Sequence, residues 1–92
     1  MSTTTKMHLP VRVPNEGARL LAQRIMKDCR GCLFVASTAM RMPTATLQRL
    51  VDGEVVPGEV LVGDVARVTK QAISRRDWRR APRGGWFERV PA

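Results

Sequence analysis

Thr44, Ala45, Gln48 and Arg49 are the residues of this 92-residue chain whose types and spacing best fit a definite chemistry. On a helix these four positions share one side, and Leu47, Leu50 and Val51 take the other. A glutamine amide offers a donor and an acceptor side by side and pairs with adenine. An arginine fork pairs with guanine or grips a phosphate, and the methyls of Ala45 and Thr44 suit a thymine methyl. Thr44 and Thr46, near the helix start, can bond backbone phosphates where the helix dipole favours anions. Such a set is expected to read bases from the major groove of duplex DNA; an ordinary helical hairpin with a solvated polar side is the alternative. Charge agrees: sixteen Lys and Arg stand against eight Asp and Glu, a net charge of +8, which suits a polyanion.

The positive charge is uneven, with +5 of it in residues 70–92. Arg75, Arg76, Arg79, Arg80 and Arg83 form the densest group. On an α-helix, 75/79 and 76/80 would be like-charged neighbours that repel, so the group is expected to meet phosphates; a solvated basic tail is the alternative. Arg41, in the break before the candidate reading helix, is a further candidate phosphate contact. Cys29-Arg30-Gly31-Cys32 has the spacing of half a zinc site or of a redox dithiol. No second such pair exists, and the single histidine, His8, lies far off in an arm. Two small apolar residues at a helix joint is the simpler account. The sequence contains no Ser/His/Asp set, paired-carboxylate pattern or phosphate-binding glycine motif. The expectation is therefore a non-enzyme without cofactor, metal or small-molecule substrate.

The elements that must position these residues follow from periodicity. Residues 1–14, with Pro10 and Pro14, read as an extended arm. Asn15 is a good N-cap for a helix with Ala18, Leu21, Ala22, Ile25 and Cys29 on its buried stripe and Arg19, Gln23 and Lys27 facing away; Gly31 can end it. A second helix spans about 32–40, with Ala36 and Ala39 small enough for close approach to a neighbour. Pro43 marks a break, and a third helix runs from Pro43 or Thr44 to Val51, stopped by Gly53. Residues 55–62 read either as a Pro-Gly hairpin or as a loop with Pro57 opening a fourth helix. Leu61, Val65, Val68 and Ala72 at helical spacing favour the helix. Ser74, with Asp77 three residues on, can cap a short helix through Arg80. Trp78 is expected in the core. Residues 86–90 could form a short strand, and the two ends could pair into a minor sheet. The sequence thus predicts a mainly α domain of four to five helices: an arm (1–14), a helical domain (15–81) and a C-terminal extension (82–92). A chain of this size buries only about 60–65% of its unfolded surface, so a second copy would help.

Residues 33–53 resemble the helix-turn-helix of Cro/CI-like (XRE-like) phage repressors. Ser37 matches the small-residue position, Met40 and Met42 the apolar positions flanking the turn, and Leu47 and Leu50 the core positions of the recognition helix. Asp52-Gly53-Glu54-Val55-Val56-Pro57-Gly58 is similar to that family's glycine-proline loop. Residues 65–69 and 72–78 are similar to the fourth helix and tail of small YdaS-type Cro-like proteins. Two positions depart: Arg41 stands where the family has a turn glycine, and Leu33 where it often has a phosphate-binding glutamine. The resemblance implies binding to duplex DNA, usually as a dimer on a two-fold site and usually repressing transcription. The lack of an apolar run of about 18 residues and of a signal-peptide core in residues 1–6 leads to the expectation of a cytoplasmic, nucleoid-associated protein without a membrane span. Two other classes stay open: an antitoxin-like or inhibitor protein that uses its basic surface on an acidic partner, and an RNA or single-strand binder that stacks bases on Trp78 and Trp86.

Overall fold

The computed structural model describes residues 6–54 and 58–87, and among them the fold is mainly helical. Asn15 opens α1 (Glu16–Cys29): its side chain accepts from the Ala18 N–H at 2.7 Å, satisfying one of the donors a helix start leaves open. The expected stripe is buried. Arg30 and Gly31 then both turn left-handed (φ 53° and 77°), which reverses the chain into α2 (Leu33–Met40). After residues 41–43 comes α3 (Thr44–Asp52), closed by left-handed Gly53 at φ 74°. A side chain at Gly53 would meet the Pro14 ring as well as the unfavourable dihedral. Leu47, Leu50 and Val51 are the buried side of α3. On α2 the buried residues are Leu33, Ala36 and Met40; Ala39, expected against a neighbour, is exposed.

Residues 59–62 are helical, the beginning of α4 (Glu59–Val68). Residues 55–57, with the expected helix-opening Pro57, lie outside the described residues. The buried side of α4 is Val62, Val65 and Ala66; of the expected stripe only Val65 is buried, Leu61 and Val68 being half-buried and Ala72 exposed. The helix ends sooner than the spacing implied, because Lys70 and Gln71 are both left-handed. Thr69 ties this turn together. Its hydroxyl donates to the Val65 carbonyl (2.7 Å) and accepts from the Ile73 N–H (3.3 Å), so Ile73 re-enters the core. The short helix expected after Ser74 is a five-residue 3-10 helix, Arg75–Arg79, with the Asp77 carboxylate accepting from both the N–H and the hydroxyl of Ser74.

Trp78 lies in the core, as expected, over α1 at Gly17. A Cβ at that glycine would overlap the indole ring. The same corner corrects the reading of Arg19, which does not face solvent. Arg19 is buried and bonds both oxygens of Glu16, also buried, at 2.8 and 2.6 Å. The C-terminal segment covers the pair: the Arg83 N–H donates to Glu16 Oε1 at 2.9 Å, and the Glu16 N–H donates to the Arg80 carbonyl at 3.0 Å. Of the expected terminal sheet, residues 1–5 and 88–90 lie outside the described residues. Among the described residues, the sole pairing is one isolated antiparallel bridge between Lys6 and Cys32. The arm's polar groups go instead to the helix joint (Met7 N–H to Gly31 carbonyl, 2.8 Å) and to the Trp86 indole, which donates to the Pro10 carbonyl at 2.8 Å. Trp86 and Phe87 lie in a turn, and 88–90 are outside the described residues.

Two consequences can be measured. Gly17→Ala should destabilise the protein by about 1–3 kcal/mol in urea unfolding, the cost of forcing a methyl into a filled core; an unchanged midpoint would show that the indole yields freely. The hydrogen bonds from the Arg19 side chain hold the Glu16 carboxyl below its ordinary value, against the opposing effect of burial, and the Arg83 N–H adds to the lowering. A lowered folded-state value means that the charged form contributes stability above the ordinary carboxylate range, lost as pH falls through the lowered value. Glu16→Gln should therefore be less stable than wild type at neutral pH, with the gap closing as the solution becomes acidic. A gap independent of pH would remove the charge from the account.

Candidate nucleic-acid interface

The unit that carries the candidate reading residues is built on a left-handed arginine. Arg41 caps α2 at φ 56°, ψ 44°, a left-handed conformation that glycine adopts without cost. The turn is held from both sides by Ser37, whose carbonyl accepts from the Met42 N–H (3.2 Å) and whose hydroxyl donates to the Met42 carbonyl. Met40 and Met42 are buried beneath it. Pro43, at φ −58° and ψ 144°, then stands as the N-cap of α3, its carbonyl taking the Leu47 N–H at 3.2 Å. α2 and α3 pack on each other and both pack on α1. The local sequence explains this: apolar residues sit inside the turn, proline fixes the entry to α3, and one serine satisfies the turn's backbone.

Of the four candidate base-reading residues, Ala45 and Arg49 are exposed on the outward side of α3, and Thr44 is half-buried. Arg49 makes no ion pair among the described residues. Thr46 is half-buried, and Arg41 is exposed on the turn. Gln48 differs from expectation. Its amide grips the arm: Oε1 accepts from the His8 N–H at 2.9 Å, and Nε2 donates to the His8 carbonyl at 2.7 Å and to Asp52 Oδ1 at 2.9 Å. Both amide protons are thus spent, and none is left for an adenine. The peptide group at His8 presents the same donor–acceptor pair that an adenine edge would present.

The arginine group divides. Arg75, Arg76 and Arg79 line a cleft of about 290 Å³ with Gly58, Glu59 and Val62 at the start of α4, and none of the three is ion-paired among the described residues. Arg80 and Arg83 line a different and larger hollow with Glu16, Arg19 and Lys27, where Arg80 also lies 4.0 Å from Asp77. In a 3-10 helix it is residues i and i+3 that share a side, which puts the like-charged Arg76 and Arg79 on one side, while Arg80, extended beyond the helix end, lies near the Asp77 carboxylate. Trp78 is unavailable for base stacking, being buried, and Trp86 is half-buried with its indole N–H engaged by Pro10.

Among the described residues, no group of three or more His, Cys, Asp or Glu is placed to hold a metal ion. Cys29 and Cys32 are free thiols. Burial, helped by Asp28 and Cys32, raises the Cys29 thiol above its ordinary value, which keeps it protonated and a poor nucleophile at neutral pH. No helix among the described residues is long and apolar enough to cross a membrane. Sequence reasoning missed His8 as a neighbour of α3 and Glu16–Arg19 as a buried pair. The alternation Met7, His8, Leu9, with the two apolar residues packed on the core and His8 exposed, was the one local signal for the arm's docking. Compared with family models, curated proteins and solved structures, the chain matches none of them.

Arg41 gives a direct test of the turn. Arg41→Gly should stabilise the protein by about 1 kcal/mol, since a side chain in the left-handed region costs roughly 1–2 kcal/mol. A loss of stability in urea would show that the guanidinium makes a compensating contact.

Proposed function

We propose that the protein binds duplex DNA by inserting the outward side of α3 into the major groove, and that it regulates transcription by occupying its site. The observation that carries this reading is the placement of Arg49. It stands exposed and without an ion pair beside Ala45, on a helix whose opposite side is locked into the core by Leu47, Leu50 and Val51. A rigid helix presenting a free arginine fork and a small methyl is what base reading requires. The net charge of +8 supports the reading, since phosphate neutralisation supplies much of the affinity for a duplex. Arg41 on the turn and the unpaired trio Arg75, Arg76 and Arg79 are the proposed phosphate contacts, with Thr44 and Thr46 at the start of α3. A second copy on a two-fold site would double these contacts, and exclusion of other proteins from that site is the simplest route to repression.

A second reading, attachment to an acidic protein, draws on Phe34 and Val35, which are exposed on α2; aromatic and apolar side chains suit a protein interface better than a phosphate backbone.

Arg49→Ala should weaken binding to a selected duplex by about 1–3 kcal/mol and blur preference at one base pair, while binding to a scrambled duplex changes little. Equal loss on both would deny Arg49 a base-reading role. Replacing Arg75 and Arg76 together by Ala should weaken all duplexes and make the logarithmic salt slope shallower by about 2. A slope that stays put would take Arg75 and Arg76 out of the interface and favour the protein-partner reading.

A further inference from the structure

The contact between Gln48 and His8 changes which residue on that flank of α3 can meet a ligand. The two bonds reach across forty residues of sequence, and the Asp52 carboxylate takes the remaining amide proton. A glutamine so saturated is a fastener. What it fastens is the arm, whose N–H and carbonyl at His8 both meet the Gln48 amide. Met7 and Leu9 pack on the core, and His8 is left exposed between them. The arm is fixed again at Gly31 through the Met7 N–H and at Trp86 through the Pro10 carbonyl. It is therefore a built part of the molecule on both sides of His8. Lys6 and Arg12, also exposed, give the same strip a positive charge.

Resting on the reading of α3 as a duplex-binding helix, we infer that the arm is a second strip of that interface. His8, held beside α3 by Gln48, contacts the duplex on the flank where Gln48 itself cannot. The imidazole can donate from one nitrogen and accept at the other, which suits a base edge in the groove, where donors and acceptors alternate. Gln48 is then a positioning residue. Because the arm is already ordered, its contact carries little of the ordering cost that a loose arm would add to binding.

The test uses full-length protein with two probes, a duplex selected by the wild type from a randomised pool and a scrambled duplex of equal composition. Exchange of the His8 amide proton is followed in parallel by NMR. His8→Ala removes an exposed side chain and keeps the backbone bonds, so it should fold as the wild type does, keep the amide protected, and lose about 5- to 150-fold in affinity for the selected duplex, the equivalent of about 1–3 kcal/mol. Gln48→Ala should unprotect the amide and lose a similar factor. The double variant should lose no more than the larger single loss, because one residue acts through the other. Losses that multiply would show that Gln48 reaches the duplex independently and would overturn the proposal. So would wild-type affinity in His8→Ala. If the wild type retains no duplex from the pool, the reading of α3 itself falls and the role of His8 falls with it; the first two failures leave that reading standing.

Discussion

The Glu16 carboxylate, buried at the first turn of α1, organises more of this molecule than any other group. A carboxylate taken out of water is tolerable only when its oxygens are answered. Both are bonded by Arg19, and one also takes the Arg83 backbone N–H. The backbone N–H of the same residue, one of the donors a helix start leaves open, finds the Arg80 carbonyl. One residue thus fixes the path of the C-terminal segment over α1, and that path seats Trp78 on Gly17 and brings the 3-10 helix against α4. The closeness of the indole to the helix backbone and the burial of the ion pair are two sides of one packing event, because neither position would be covered without the other segment in place.

What could be read from the sequence and what could not divide along the range of the interactions. Local signals were sufficient for the Asn15 cap, the Gly53 stop, the apolar sides of α1 and α3 and the reciprocal Ser74–Asp77 bonding, since each depends on residues within one or two turns. The break between α2 and α3 was also legible from Pro43, but the left-handed conformation of Arg41 was not, because no glycine marks it. Arg19 was misplaced because helical periodicity describes one helix against one core, and a chain end that folds over the opposite side turns a solvent-facing arginine into a buried one. The register of α4 was misjudged for a related reason. The apolar spacing continued through Ala72, but two left-handed residues at Lys70 and Gln71 had already ended the helix, and neither is a glycine that would have announced it.

The candidate site shows the same division in a sharper form. Arg49 and Ala45 are where amphipathicity put them. Gln48 sits on the expected flank, yet its chemistry is consumed by a peptide group forty residues away in sequence, and no local pattern encodes that pairing. A glutamine at a helix surface is an equally good partner for a base and for a backbone edge, because both present one donor beside one acceptor. Which of them it meets depends on where the chain end is tied, and the ties at Gly31 and Trp86 settle that here.

The arrangement of charge follows from backbone geometry more than from composition. Had residues 75–80 formed an α-helix, Arg76 would have faced Arg80, and the group would have been one repelling ridge. The 3-10 helix instead stops at Arg79, and Arg80 leaves it in an extended conformation with its guanidinium 4.0 Å from Asp77. Arg75, Arg76 and Arg79 are left around the start of α4, with Glu59 the one acidic side chain in that cleft. An excess of cations held this way stays poorly neutralised within the molecule. Any attraction of such a group to an external anion falls as salt rises. Arg49, Arg75, Arg76 and Arg79 thus stand exposed and without an ion pair among the described residues, while the charge of Arg19 is spent on Glu16 inside the fold.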